Sequence, residues 1–382
     1  GVLLLLVGAP VLYGFFYPWF YADEVLTRVP VAVVDLDHTS LSRQITRFAD
    51  AGPRIEVHLV TGSEREAQEA LWRGEIEGYA VIPAGLKRNV VRGENAVVSI
   101  EANGAYALLN KAVQYGFAEA VGTVSAGVEI RKLQASGQSA PQARASRAPV
   151  QLQMVALFNP TEGYGSFVVP AVALLILQQT LFLGIGMSMG NQREKCLANM
   201  LPKRKWYRRP VDIVIGKAIF YFILYLLMAI YAYAAITRWF SLPDVGNYFV
   251  FLRFIIPYIL ACIFLAMVLS VLVYRREDCI MLFVFLSVPL LFMSGISWPG
   301  SEIPVFWKYV SWLFPSTFGM NGYLRIMGTG ASITDIHHEY VGLWCQVGVY
   351  GLLACFMYRL RLKAIVKRLS SAKNRQKMYQ EK

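Results

Sequence analysis

Six long stretches of this chain carry no charged residue, and that feature rules out most water-soluble folds. They run 1–22, 163–191, 218–237, 254–274, 279–301 and 340–358. A helix of about 20 residues crosses a hydrocarbon core of roughly 30 Å. A soluble helix of that length would keep one polar face in water. The pattern implies an α-helical polytopic membrane protein with six spans. The long polar interval after the first span implies an inserted extracytoplasmic domain.

No chain is initiated on glycine, so residues upstream of Gly1 are expected. A cleaved signal peptide is the competing reading of 1–22. The segment has no basic start and no A-x-A site. It ends in Tyr17-Pro18-Trp19-Phe20-Tyr21, a cluster of the kind found at membrane surfaces. A retained anchor is therefore preferred.

Basic residues set the expected orientation. Between the second and third stretches stand Arg193, Lys195, Lys203, Arg204, Lys205, Arg208 and Arg209, against Glu194 and Asp212. Arg275 and Arg276 follow the fourth stretch, and the tail 359–382 is densely basic. If every stretch crosses once, these segments share one side, which places both termini in the cytoplasm. A net charge of +12 suggests nucleic acid or acidic lipid as a partner. Nucleic acid is disfavoured, because the excess sits beside membrane ends. The cysteines are Cys196, Cys262, Cys279, Cys345 and Cys355. None lies in the polar interval, and no two have metal-ligand spacing.

Residues 23–160 change to short apolar runs alternating with amphipathic stretches. Strands are expected at 31–34, 55–60, 78–82 and 96–102, and helices at 41–50, 64–73, 86–91 and 105–133. This order implies a small α/β layer with mainly parallel pairing. Ser63 and Glu66 make a capping-box signal. Residues 134–149 have no apolar period and read as a flexible linker. Residues 150–158 read as a strand returning to the domain.

Two clusters invite a catalytic or metal reading. Asp35, Asp37 and His38 follow a strand, where α/β folds bind ligands. The plainer alternative, which is preferred, is a turn capping the next helix through Asp37, Thr39 or Ser40. Asp335, His337, His338 and Glu339 suggest a metal, but adjacent histidines point in different directions on a helix. The G-x-x-x-x-G-K-[ST] pattern is absent, so ATP hydrolysis by this chain alone is not expected.

Three features bear on transport. Gln178, Gln179 and Thr180 lie mid-span, where amides are costly unless satisfied. They either line a path or hold helices together. Gly186 and Gly190 form a small-xxx-small pair that permits close helix approach. In 294–325, Gly295 and Pro299 interrupt the fifth stretch, Pro304 starts a short helix, Pro315 stops it, and a further apolar stretch leads past Arg325. The expected shape is a pair of reentrant helices, with a short surface helix as the alternative.

FMSGISWPGSEIPVFWKYVSWLFPSTFGMNGYLRI resembles the signature of ABC-2 type transporter permeases, with Gly295, Pro299, Pro304, Pro315 and Arg325 matching in order. QREKCLANMLP resembles that family's ATPase-coupling segment, with Arg193, Glu194, Leu201 and Pro202 matching. Lys195 and Leu197 lie in the same run. Cys196-Leu197 and Asn199 depart from the family's usual Gly-Thr and later Glu. VAVVDLDHTSLSRQI, GYAVIPAGL and LFNP resemble the subgroup with a large periplasmic domain.

The resemblance implies a bacterial inner-membrane exporter permease with spans two to six in 161–358. It implies a second permease copy and an ATP-binding cassette subunit that carries ATP and Mg, with no cofactor on this chain. A periplasmic adaptor and an outer-membrane channel are further implied partners, beside the lipid bilayer. An amphiphilic or hydrophobic substrate is expected. The alternative is a membrane-anchored sensor or assembly scaffold whose external domain binds a ligand or partner.

Overall fold

The structure, a computed structural model, describes residues 2–21, 25–147, 157–159, 163–195, 209–273 and 275–380. The chain forms two compact units, Val25–Val155 and Gly1–Glu24 with Ala156–Lys382.

The first unit is built on a four-stranded sheet in the order β2-β1-β3-β4. β1 (Val29–Asp35) pairs in parallel with β2 (Ile55–Thr61) and β3 (Gly78–Ile82), and β4 (Ser99–Ala102) closes the sheet antiparallel to β3. β1 reads as an unbroken apolar run because both its faces are covered. Val31 and Val33 join a core with Ile45 of α2 (Ser40–Asp50) and Val113 and Phe117 of α5 (Ala107–Ala135). Ala32 and Val34 face the opposite core, with Ala67 and Ala70 of α3 (Glu64–Trp72). α4 (Leu86–Arg92) is bracketed by Gly85 and Gly93, both in the left-handed region at φ 81°, which glycine adopts without a Cβ penalty.

The Asp35–Ser42 corner is a turn and cap. The Asp35 carboxylate accepts from the amides of Asp37 and His38 and, at 2.7 Å, from the Ser42 hydroxyl. Thr39 and Ser42 form a reciprocal capping box at the start of α2. Two other local expectations need correction. Ser63 precedes α3 without a side-chain cap bond; Thr61 takes that place, its hydroxyl donating to Glu66 and accepting from the Ser63 amide. The expected linker over 134–149 instead carries a helix, α6 (Ala140–Arg147), whose Ala143 is fully buried. One small side chain against α5 gives no apolar period to read. The strand expected over 150–158 falls largely outside the described residues.

In the second unit, Gly165–Glu194, Pro210–Trp239, Tyr248–Leu269 and His337–Ala364 are long and apolar enough to cross a membrane, and Leu4–Phe20 is a shorter apolar helix. Here Leu4–Phe20 is termed α1. The others belong to α7 (Gly165–Lys195), α8 (Pro210–Ala234, continued by a π turn), α9 (Tyr248–Leu269) and α13 (His337–Gln380). α10 (Arg276–Met293), α11 (Val305–Ser311) and α12 (Pro315–Thr329) complete the unit.

α7 is the hub and packs against α1, α8, α9, α10 and α12. That is why its sequence is apolar all round. Gly295 interrupts the fifth stretch, 279–301. α10 stops at Met293, because Gly295 takes a positive φ of 86° and the chain turns through 294–301. Pro315 is not what stops α11, which ends at Ser311. It opens α12 at the first helical position, where its missing N–H costs nothing.

Candidate functional site

Among the described residues, the polar groups singled out from the sequence lie at three places in the apolar unit. The first is midway along α7. Gln178 is completely buried, and its Oε1 receives the Cys262 thiol of α9 at 3.6 Å. Thr180 donates to the Ile176 carbonyl at 2.8 Å and accepts from the Tyr225 hydroxyl of α8 at 3.1 Å. Tyr258 of α9 donates to the Leu174 carbonyl at 2.6 Å. This seam joins three helices through hydrogen bonds. It is incompletely satisfied, because Gln178 Nε2 and both polar atoms of Gln179 are buried without a partner. Each such group costs about 1–3 kcal/mol.

The second place is the far end of α7. α9 ends at Leu269, and the chain turns before α10 begins at Arg276, leaving carbonyls on one side of the break and amides on the other without helical partners. Arg193 donates to the carbonyls of Val273 and, at 2.9 Å, Val271. Glu194 accepts from the Arg276 backbone amide at 2.9 Å and from its guanidinium at 2.7 Å. A cation thus meets the carbonyl side and a carboxylate meets the amide side, the pairing that helix-end charges favour. Gly190 allows this approach, since a Cβ there would lie 2.9 Å from the Arg276 nitrogen. Gly186 does the same against Cys279 and Phe283. Arg361 of α13 reinforces the break, donating to Val271 O at 2.6 Å. Lys195 closes α7; Leu197, Leu201 and Pro202 lie outside the described residues.

The third place is 294–325, where Gly295, Pro299, Pro304 and Pro315 punctuate the chain. α12 packs against α7, α9 and α13, with ten of its fifteen residues buried. The non-helical carbonyls around it are bonded by side chains. Asn321 donates to Ser294 O at 2.8 Å and Thr317 to Ser311 O at 2.8 Å. From α13, Gln346 donates to Trp312 O at 2.8 Å and Tyr350 to Leu313 O. Arg325 pairs with Glu339 at 3.0 Å and donates to the Asp335 carbonyl at 2.8 Å. His338 packs edge-on to Trp312 and tilted against Phe318.

Sequence reasoning missed Asn321, Thr317, Gln346, Tyr350 and Arg361. Gln346 carried a usable signal, being the only amide in the stretch 340–358. Arg361 lies in a tail whose basic density signals orientation and hides any single local role.

No curated protein and no solved structure matches the chain. The family described as ABC-2 family transporter protein matches residues 1–356. That span takes in the whole of the first unit, the second unit up to residue 356, and the three polar places except Arg361. The chain belongs to the ABC-2 transporter family, the transmembrane permeases of ABC transporters, which generally work with an ATP-binding subunit.

Proposed function

We propose that this chain is the permease subunit of an ATP-driven exporter that moves an amphiphilic or hydrophobic substrate out of the cytoplasm or inner leaflet. Arg193 and Glu194 carry this reading. They tie the end of α7, where the chain enters the segment 196–202, to both sides of the α9–α10 break. A displacement of that segment would reach α7, α9 and α10 together, which suits a lever between two discrete helix arrangements. Arg193, Glu194, Lys195, Leu197, Leu201 and Pro202 form the seat of the ATP-binding subunit, which holds ATP and Mg.

In this reading six helices cross the membrane, α1 and α10 joining the four longer ones. α10 rises only about 27 Å at 1.5 Å per residue, and its first turn is charged. It therefore reaches the opposite interface only with its last turn, from which Gly295 to Arg325 folds back as a reentrant pair. The bonds from Asn321, Thr317, Gln346 and Tyr350 support this shape, because irregular backbone at depth must be covered by protein. Gln178, Gln179 and Thr180 stand in the wall of the translocation path, the unmatched groups being Gln178 Nε2 and the Gln179 amide. Two permease copies enclose that path in the bacterial inner membrane, both termini being cytoplasmic. Val25–Val155 stands in the periplasm, where an adaptor and outer-membrane channel can dock.

Affinity purification of the full chain from its native host tests the proposal. An ATP-binding subunit should be retained in about equal amount. Purification without any ATPase, but with a stable external ligand or scaffold partner, would favour a sensor instead.

A further inference from the structure

Beside the Arg193 bracket, α7, α8 and α13 enclose a small cavity that the transport reading does not use. Its volume is about 20 Å³, and its lining includes Gln192, Lys217, Tyr358 and Arg361. Two cations border it. Among the described residues neither has a carboxylate within ion-pair distance. Lys217 has three N–H donors to place, yet its polar contact is a long one, 3.5 Å to Gln192 Oε1. Its ammonium otherwise lies 5.5 Å from the centre of the Tyr358 ring. Arg361 spends Nη2 on the Ser270 and Val271 carbonyls, while its Nη1 is buried without a partner, as is the Tyr358 hydroxyl.

We propose that this cavity binds an anion of the phosphate class, presented by the headgroup of a membrane lipid. Partly buried cations without counter-charge are costly, and a phosphate oxygen answers both Lys217 and the idle Arg361 nitrogen with charge-assisted bonds. The volume is about that of one oxygen-sized group, since a single water needs roughly 10–15 Å³. One phosphate oxygen enters, and the rest of the group stays at the mouth.

The surroundings point to lipid as the source. α8 and α13 are the least buried of the four long apolar helices, with 28% and 22% of their apolar windows covered. Ile219, Ile223, Val349 and Leu352 stand exposed on them. In a membrane protein such faces meet acyl chains, and basic pockets between helices at the membrane surface hold headgroups.

Native mass spectrometry of the full chain in detergent tests this with dioleoylphosphatidylglycerol, dioleoylglycerol and inorganic phosphate as probes. The phospholipid should bind at least about tenfold more tightly than dioleoylglycerol, which has the same chains and no phosphate. Lys217→Gln should remove about that tenfold advantage, and Tyr358→Phe should reduce it. Inorganic phosphate binding as tightly, with the same loss in Lys217→Gln, would uphold the anion site and overturn its lipid source. Equal binding of the two lipids to the wild-type chain would overturn the site outright, even if Lys217→Gln failed to fold. Equal phospholipid binding by wild type and a folded Lys217→Gln would do the same.

Discussion

Gly319 and Gly322 lie where α12 crosses α9, and each is specified by a single aromatic ring. A Cβ on Gly319 would come within 2.3 Å of Tyr258, and one on Gly322 within 2.4 Å of Phe254. Both rings are buried and cannot swing aside without opening the core. Gly322→Ala should therefore destabilise the chain by about 1–3 kcal/mol through overpacking, seen as a lower Tm for the purified protein. Gly328, on the same helix, has nothing within 4 Å. Gly328→Ala should leave Tm unchanged or raise it slightly, because alanine suits a helix better than glycine. Equal effects at the two positions would contradict this packing. The pair Gly186 and Gly190 could be read from spacing alone. The contact of Gly319 and Gly322 with α9 could not, since both partner rings lie more than sixty residues away in sequence.

Elements were legible where one local rule dominated. The run at β1 announces a strand covered on both faces, and observed β1 extends the expected 31–34 by only a few residues. The long apolar helices are equally plain, because hydrocarbon tolerates no polar face. Errors arose where an element depends on a distant partner. α6 forms around a single buried alanine. The polar seam through Gln178 was visible as a cost, but its partners Tyr225 and Cys262 were not. A charge facing lipid is costly, and the structure gives Arg325 a partner in Glu339 of α13. Arg325→Ala leaves the Glu339 carboxylate, whose side chain is 13% exposed, without its cation. Transport should fall several-fold while membrane insertion stays normal. Wild-type transport at equal expression would remove the functional role of this tie between α12 and α13.

For the whole molecule, the questions that matter are which parts face the cytoplasm and how force enters. The charge asymmetry predicts that a cysteine placed at Ser136 reacts with an impermeant reagent in intact cells. A cysteine at Lys203 should react only after permeabilisation. Equal labelling in intact cells would contradict the six-crossing arrangement. Force is proposed to enter through the segment after Glu194, whose apolar residues Leu197, Met200 and Leu201 suit the groove of a partner. Resting on lipid headgroups is the competing role. The most direct measurement is ATP hydrolysis and substrate export by the permease–ATPase complex in proteoliposomes, wild type against Leu201→Asp. We predict that the variant folds and inserts but either loses its ATPase or hydrolyses ATP without export. A stable complex carrying Leu201→Asp, with hydrolysis and export fully coupled, would contradict the account.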